Sequence, residues 1–417
     1  MARILFAMVC AYCFACISCS SEGGASSPET SSASAASSAS VWTNTGVICT
    51  VKDSTFTDAA AGVLYVCDGA TWWGAAVSSL SSSSSEVPAA SSSSGAESSS
   101  SVFVHTPGFD PCRFNFGAGW QTTHQKDTAF YKGMDFISVW LGDNDYFNPS
   151  FEGWMLDMAF GVGATPMIYA YVIAEVGKDQ NLKDCDMGTP NLCTNGASII
   201  RQYFADSVLY RYRLYAEGMR DYIALYYSPK ILADTLQMIW LIEPDFYQYS
   251  ASGDDQNGSS TNQVGGGIPD DSMGIYFSQI VQTIKTYLPA AKIAIDISPW
   301  ITDMKGWYAN FDMSLVDYAS TSGGRTLAGS AKIRSANIST WAGVREIIGK
   351  PILADAGYDA GGKGTGQDTT WDNVANLNAR IADGVIGVTQ MDAAQGYGTL
   401  LETVRPQLSA IPGCSSN

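Results

Sequence analysis

The stretch Gln237-Met-Ile-Trp-Leu-Ile-Glu-Pro-Asp245 decides the fold of this chain. Its centre is continuously apolar, as expected for a parallel strand covered on both faces, and it stops at an acid-proline-acid turn. Further apolar runs of this kind follow and precede it, with helical segments between them. Alternation of buried strands with helices predicts either an α/β barrel or an open doubly wound sheet.

The globular part of the chain, residues 102–417, has a suitable length for one such barrel. We expect a distorted, TIM-like parallel β/α barrel. Besides Gln237 to Glu243, strands are predicted at Ala164 to Val176, Lys292 to Ile297, Pro351 to Ala354 and Val385 to Thr389. Helices are predicted at Ala197 to Tyr227, Asp271 to Tyr287 and Trp371 to Ala382.

Acidic residues stand where these strands stop. They are Asp245, Asp296, Asp355 and Asp392, with Asp184 after a loop that follows the first strand. The carboxyl ends of parallel strands open onto one face of a barrel, where active sites lie. Carboxylates that converge there lose hydration and repel one another, which raises the pKa of at least one. A single strand-end aspartate is more often a helix cap, but four in succession favour an acid–base site.

Two Ser/Ala-rich tracts, 20–40 and 78–101, cannot bury a core and are predicted linkers. They enclose a small module, residues 41–77, which would need a Cys49–Cys67 bridge for stability. Its Trp72-Trp73 pair is compatible with a glycan-binding unit and equally with a plain surface spacer.

Residues 1–19 carry one positive charge and a short apolar run, typical of a secretory signal. Small residues before Cys19 and a flexible segment after it resemble a bacterial lipobox, so Cys19 is a candidate for acylation; an ordinary cleaved signal is the alternative. An exported, surface-anchored or extracellular protein is expected. Six cysteines beyond Cys19 suggest disulfides, and nearest-neighbour pairing would add Cys112–Cys414 and Cys185–Cys193 to Cys49–Cys67, among about fifteen arrangements.

The net charge of -17 argues against nucleic acid as a partner. A neutral polysaccharide fits better, because 11 Trp, 21 Tyr and 16 Phe supply many flat rings, although most aromatics are core residues. His105 and His124 are too few for a histidine-rich metal site, and Gly361-Gly362-Lys363-Gly364 lacks the Ser or Thr of a phosphate loop. No metal or cofactor is expected, and the chain is expected to be a monomer.

The order of motifs resembles family 6 of the glycoside hydrolases, which contains inverting cellobiohydrolases and endoglucanases. Ile242-Glu243-Pro244-Asp245 matches that family's Ile-Glu-Pro-Asp, and Lys183-Asp184-Cys185 is similar to its Arg-Asp-Cys. Gly306-Trp307-Tyr308-Ala309-Asn310 resembles a Gly-Trp-Pro-Ala-Asn segment. Ala354-Asp355-Ala356-Gly357, followed by Thr365-Gly366-Gln367, parallels Thr-Asp-Gln-Gly with Thr-Gly-Gln.

The chain also departs from that family. The Tyr-Asp-Leu-Pro-Asp before Arg-Asp-Cys is replaced by a longer stretch around Ala174-Glu175-Val176-Gly177, and a Lys-Pro-Gly-Glu segment is not recognisable around Thr389-Gln390-Met391. A distant relative or a sister family is therefore indicated.

The resemblance implies cleavage of a β-1,4-glucan such as cellulose. Asp245 would be the general acid, Asp184 would assist it, and Asp392 or else Asp355 would be the base. Substrate-binding residues would be Trp140, Tyr169, Glu243, Asp296, Trp300, Trp307, Trp341 and Trp371. Two alternatives stay open: a retaining hydrolase of another plant polysaccharide that uses Glu243, and a glycan-binding barrel without catalysis.

Overall fold

The structure is a computed structural model in which the chain divides into two units, Met1–Glu97 and Ser98–Asn417. It describes four strands of the first unit. It also describes residues 108–414, apart from 142–143, 186, 229, 252, 255–259, 262, 299, 336–338 and 358–365. The predicted linkers, the signal with Cys19, and the bridge partner Cys49 lie outside the described residues.

The first unit contains a four-stranded antiparallel sheet. Its strands are β1 (Thr43–Ile48), β2 (Thr55–Asp58), β3 (Val63–Cys67) and β4 (Thr71–Ala76), in the order β1-β4-β3-β2. The sheet coincides with the small module predicted at 41–77. The side chains of Trp72 and Trp73 are outside the described part, so a binding role for them stays a prediction.

The second unit is a closed barrel of eight parallel strands, as the sequence predicts. The strands are β5 (Asn115–Gly119), β6 (Phe136–Leu141), β7 (Thr165–Ala170), β8 (Ile239–Ile242), β11 (Lys292–Asp296), β12 (Tyr318–Ser320), β13 (Ile352–Asp355) and β14 (Val385–Gln390). A two-stranded hairpin, β9 (Gly253–Asp254) with β10 (Ser260–Thr261), lies between β8 and β11 in the sequence. The ring closes where the last strand, β14, pairs with the first, β5, and the strands on either side of the hairpin, β8 and β11, pair with each other.

All five predicted barrel strands are present, but the first is shorter than expected. β7 ends at Ala170, and the apolar residues from Val172 onward form a helix instead. Periodicity does not separate a buried strand from a buried helix when both are apolar. The sequence analysis missed β5, β6 and β12. β5 is rich in glycine and β12 has only three residues, so neither gives a strong strand pattern.

Helices surround the barrel. They are α1 (Thr128–Tyr131), α2 (Trp154–Val162), α3 (Val172–Asp179), α4 (Leu192–Tyr203), α5 (Leu209–Tyr226), α6 (Phe246–Ser250), α7 (Asp270–Tyr287), α8 (Met304–Tyr308), α9 (Trp341–Ile348), α10 (Val374–Ala382) and α11 (Tyr397–Val404). The helix predicted at Ala197 to Tyr227 is α4 and α5, joined by a π-helical turn at Phe204–Val208. Among the described residues, no helix is long and apolar enough to cross a membrane.

Side chains of the strands are buried on both faces of the barrel wall. Phe116, Phe136 and Ile168 are fully buried, and Phe136 requires a glycine on the neighbouring strand. A Cβ atom at Gly117 would stand 2.1 Å from the Phe136 ring. The glycine that weakens the strand pattern of β5 therefore makes room for a core ring.

Two disulfides join described residues, and both were predicted. Cys112–Cys414 links the start of the barrel to its end across a sequence separation of 302 residues. Cys185–Cys193 closes a short loop with a separation of 8 residues.

Removing the long bridge by Cys112→Ser with Cys414→Ser should lower the free energy of unfolding by about 5 kcal/mol, because the unfolded chain regains a large loop. Removing the short bridge by Cys185→Ser with Cys193→Ser should cost only about 3 kcal/mol. Urea denaturation of both variants measures the difference. Equal losses would contradict the loop-closure explanation.

Candidate active site

Three predicted acids meet at the carboxyl end of the barrel. Asp296 and Asp355 are the last residues of β11 and β13, and Asp245 follows β8 by three positions. Ile242 pairs with Ile295 in register, which sets the residues after β8 level with the end of β11. We call Asp245, Asp296 and Asp355, together with Arg334, the acid cluster.

The turn after β8 has an unusual backbone. Glu243 and Asp245 have φ angles of 45° and 67°, in the left-handed region that side chains other than glycine rarely adopt. Pro244 stands between them. Such strain persists only where surrounding contacts hold it, and it concentrates at functional sites. Here the Asp245 backbone N–H donates a hydrogen bond to the Asp296 carboxylate, which ties the turn to β11.

Asp296 is buried, and burial raises its pKa to about 8. The negative charge of Asp245 acts in the same direction. A hydrogen bond of 2.9 Å from the Ser322 hydroxyl to Asp296 Oδ1 opposes the shift, as does Arg334. Asp296 therefore holds a proton through neutral pH, as expected for crowded carboxylates in a dry site.

Asp355 is fully buried, and burial raises its pKa to about 7. Its Oδ1 accepts a hydrogen bond of 2.8 Å from the Gly357 backbone N–H. Its Oδ2 has no hydrogen-bond partner among the described residues. Asp355 is thus held by one hydrogen bond at the carboxyl end of β13, and its side chain has no exposed surface.

Arg334 supplies the positive charge of the cluster. It lies between β12 and α9, and the carboxylates of Asp245, Asp296 and Asp355 all favour its charged form, while burial lowers its pKa. Its Nη2 donates a hydrogen bond of 2.6 Å to the Ser322 carbonyl oxygen. The sequence analysis missed this residue, because a single arginine in a loop carries no pattern.

Asp184 reaches the same region through Tyr171, the residue after β7. The Tyr171 hydroxyl donates to Asp184 Oδ1 at 3.4 Å. Burial raises the pKa of Tyr171, and the charge of Asp245 raises it further, followed by that of Asp184. Tyr171 is therefore close to Asp245, the predicted general acid, and to Asp184, its predicted assistant. It was also missed, because the strand was expected to continue through it.

Asp184 also has a basic neighbour. Lys178 on α3 lies 3.4 Å from Asp184 Oδ1 and 2.6 Å from Glu175 Oε1, with its ammonium group 5.1 Å from the Tyr171 ring centre. Lys178 and Glu175 belong to the stretch that replaces the family 6 segment. The departure from that pattern thus places a charged pair beside Asp184.

Glu243, predicted to bind substrate, lies in the core of the fold. It is fully buried, and its carboxylate accepts hydrogen bonds from the backbone N–H groups of Val172 and Ile173 at the start of α3. The Tyr212 hydroxyl donates to it at 2.7 Å. Burial raises the pKa of Glu243 to about 8. Its role is to fasten α3 to the end of β8.

An open cleft lies at the carboxyl ends of β5 and β6. This strand-end cleft, about 380 Å³ in volume, is lined by Trp120, Trp140, Phe151 and Asp392 among others. Trp140 is half-buried and touches Tyr171 edge-on, with ring centres 5.5 Å apart. Asp392 is half-buried and shares this cleft with Trp140. Trp140 in turn contacts Tyr171, whose hydroxyl bonds to Asp184. Trp120 was not predicted, because it lies beyond a strand that was not recognised.

Several predicted sugar platforms are core residues. Tyr169, Trp341 and Trp371 are fully buried, and Trp307 is 4% exposed. Tyr169 stacks under Trp140 at 4.9 Å, and its hydroxyl donates to Thr389. Trp341 and Trp371 pack edge to face at 5.6 Å. Burial leaves none of these four rings an exposed face for a sugar, and their binding role stays a prediction.

Trp300 remains half-buried at the site, with the Arg334 guanidinium 5.9 Å from its ring centre. Trp140 and Trp300 are therefore the predicted platforms that keep accessible surface. Within the described residues, no group of His, Cys, Asp and Glu side chains could hold a metal ion.

The fold and the strand-end acids define a parallel β/α barrel with an acidic site at the carboxyl ends of its strands. The sequence matches no protein-family model, and no curated protein matches it. Some solved structures are distantly similar to this chain. The endo-1,4-β-mannanase of Eisenia fetida is 13% identical with a TM-score of 0.42, over 70% of this chain and 91% of that enzyme.

The β-1,4-D-mannanase of Cryptopygus antarcticus is 13% identical, with a TM-score of 0.43 over 70% of this chain and 90% of that one. A modular family 26 endo-β-1,4-mannanase of Cellulomonas fimi is 10% identical, with a TM-score of 0.42 over 73% of each chain. At these identities the likeness concerns the fold alone. It gives no support to family 6, so that resemblance rests on the motifs of this chain.

The buried acids predict a pH dependence of stability. Unfolded aspartates release their protons near pH 4, whereas Asp355 and Asp296 keep theirs to about 7 and about 8. Between these limits the folded state binds more protons, so the free energy of unfolding should fall as pH rises from about 4 to about 8.

Asp296→Asn should make this slope shallower, because the amide cannot ionise. Urea denaturation at pH 5 and pH 8 measures the slope, with the exposed Asp271→Asn as the matched control. A slope identical to that of the wild type would show that Asp296 ionises as it does in the unfolded chain.

Proposed function

We propose that this chain is a glycoside hydrolase that cleaves a β-1,4-linked glucan with inversion. The observation that carries the proposal is the position of Tyr171. Its hydroxyl donates to Asp184, the charge of Asp245 acts on it, and its ring touches Trp140 of the strand-end cleft. On this proposal the proton donor, its acidic assistant and an aromatic surface lie around one sugar-binding gap at the carboxyl end of the barrel.

In this mechanism Asp245 donates its proton to the glycosidic oxygen. The turn that carries it is held by the hydrogen bond from its backbone to Asp296. Asp184, linked to the same tyrosine, assists Asp245 in this role. After bond cleavage, Asp245 is ionised, and the nearby Arg334 stabilises that charge.

Asp392 is the better candidate for the base. It is half-buried in the strand-end cleft with Trp120 and Trp140, where a water molecule can approach a bound sugar. Asp355 is fully buried against Arg334, so it can accept a proton from substrate water only if the site opens. We therefore assign Asp392 the base role and Asp355 the role of holding Arg334.

The same geometry disfavours a retaining mechanism. That mechanism needs a carboxylate able to attack the sugar ring, and Glu243 is the glutamate at the expected place. Its oxygens are occupied by the backbone of α3 and by Tyr212. A group held in this way braces the fold and does not reach a substrate.

A glucan substrate is supported by the family 6 motifs and by the charge of -17, which suits a neutral polymer. Export, with lipid attachment at Cys19, belongs to the same proposal. The Cys112–Cys414 and Cys185–Cys193 bridges fit an oxidising compartment.

Asp245→Asn should lower kcat by about 10³-fold and leave glucan binding intact, because the amide keeps the shape and loses the proton. Reducing-sugar release from cellulose, mixed-linkage glucan, galactomannan and xylan measures turnover and identifies the polymer. Asp234→Asn, at an exposed aspartate before β8, is the matched control. Full activity in the Asp245 variant would place the acid elsewhere, and an inactive wild type on all four polymers would refute hydrolysis.

Asp392→Asn should also reduce turnover strongly, and proton NMR of the first product should show the inverted anomer. If Asp392→Asn keeps native kcat while Asp355→Asn loses it, the base assignment is reversed. A retained anomer would overturn the inverting mechanism.

A further inference from the structure

A second cleft lies on the outer wall of the barrel, between the beginning of α2 and the end of α5. This side-wall cleft has a volume of about 410 Å³, and its lining includes Trp154, Asp157, Tyr222, Tyr226 and Tyr227. Four aromatic rings and one carboxylate in a surface cleft are unusual, because exposed apolar side chains are normally scattered singly.

The polar floor of this cleft is held in place before any ligand arrives. Asp157 accepts hydrogen bonds from the Tyr222 hydroxyl at 2.9 and 3.0 Å, and another from the Tyr227 hydroxyl. Tyr222 in turn lies against Gly153, where a Cβ atom would stand 2.9 Å from the ring. A carboxylate offers about four acceptor positions, so Asp157 keeps capacity for a ligand hydroxyl.

The rim is aromatic and open to solvent. Tyr226 is 63% exposed and Trp154 is 40% exposed. The ammonium group of Lys126 lies 5.8 Å from the Trp154 ring centre, where it is a further hydrogen-bond donor. Flat rings with a hydroxyl acceptor below and a donor beside them match a sugar, which has an apolar face and hydroxyl groups around its edge.

The side-wall cleft adjoins the strand-end cleft. The π-helical turn at Pro149–Gly153 separates them, since Phe151 lines the strand-end cleft while Ser150 lines the side-wall cleft. Residues 123–126 also lie between the two clefts. Thr123 lines the strand-end cleft, and Lys126 lies over Trp154 in the side-wall cleft. A long chain bound at the strand ends can therefore continue onto this wall.

We propose that the side-wall cleft is an accessory binding site for a neutral β-linked polysaccharide, which holds a distant part of the polymer whose cleavage occurs at the strand ends. The inference rests on the proposed function for the identity of the polymer. The ligand is uncharged, because the cleft offers one carboxylate and one ammonium group around apolar rings.

The test separates polymer binding from catalysis. Trp154→Ala with Tyr226→Ala is combined with Asp245→Asn, and binding to insoluble cellulose and to insoluble mannan is measured by depletion from solution. Loss of two stacking rings should weaken binding roughly tenfold. In the active background, the same pair should reduce hydrolysis of insoluble polymer and leave kcat/KM on a short soluble oligosaccharide unchanged.

Tyr210→Ala is the matched control, since Tyr210 is an exposed tyrosine of α5 that does not line the cleft. Unchanged polymer binding by the double variant would overturn the inference, and so would an equal loss on the short substrate, which would indicate a general structural defect. A change from dimer to monomer in size-exclusion chromatography would assign the surface to a second copy of the chain. An inactive wild type would refute the proposed hydrolysis, while the binding comparison could still be read.

Discussion

The parallel pairing of β8 with β11 is the constraint on which the site depends. That pairing sets the turn after Ile242 level with Asp296, and the Asp245 backbone then bonds to the Asp296 carboxylate. Acids separated by tens of residues in the chain become neighbours because parallel strands end on one face. Without this pairing, the strained turn at Asp245 would lose its contact with the end of β11.

Burying charged side chains at the site costs free energy. Asp296 and Asp355 avoid that cost by remaining protonated through much of the neutral range, and Arg334 offsets the charge of the carboxylate that ionises. Such an arrangement is demanding for stability and useful for catalysis, since it keeps groups of different protonation state side by side. Glu243 shows the other use of a buried acid, because all its interactions serve the fold.

The strand-end acids could be predicted from the sequence because an apolar run and the acid that ends it are adjacent in the chain. The aromatic platforms could not. The sequence does not distinguish Trp371 from Trp140, yet Trp371 is fully buried and Trp140 lines a cleft. Which face of a ring meets solvent depends on elements far away in sequence. Tyr171 and Arg334 were missed for the same reason, since their partners are brought by other strands.

The sequence by itself determined the barrel, because apolar runs covered on both faces allow few architectures. It also placed acids at the strand ends, and its cysteine spacing suggested both described disulfides among about fifteen arrangements. Only the tertiary structure decided which acids touch solvent, that Glu243 braces α3, and that Trp154 and Tyr226 share a cleft. The physical reason is that burial and neighbouring charge are properties of packed surfaces, and a surface exists only after the chain has folded.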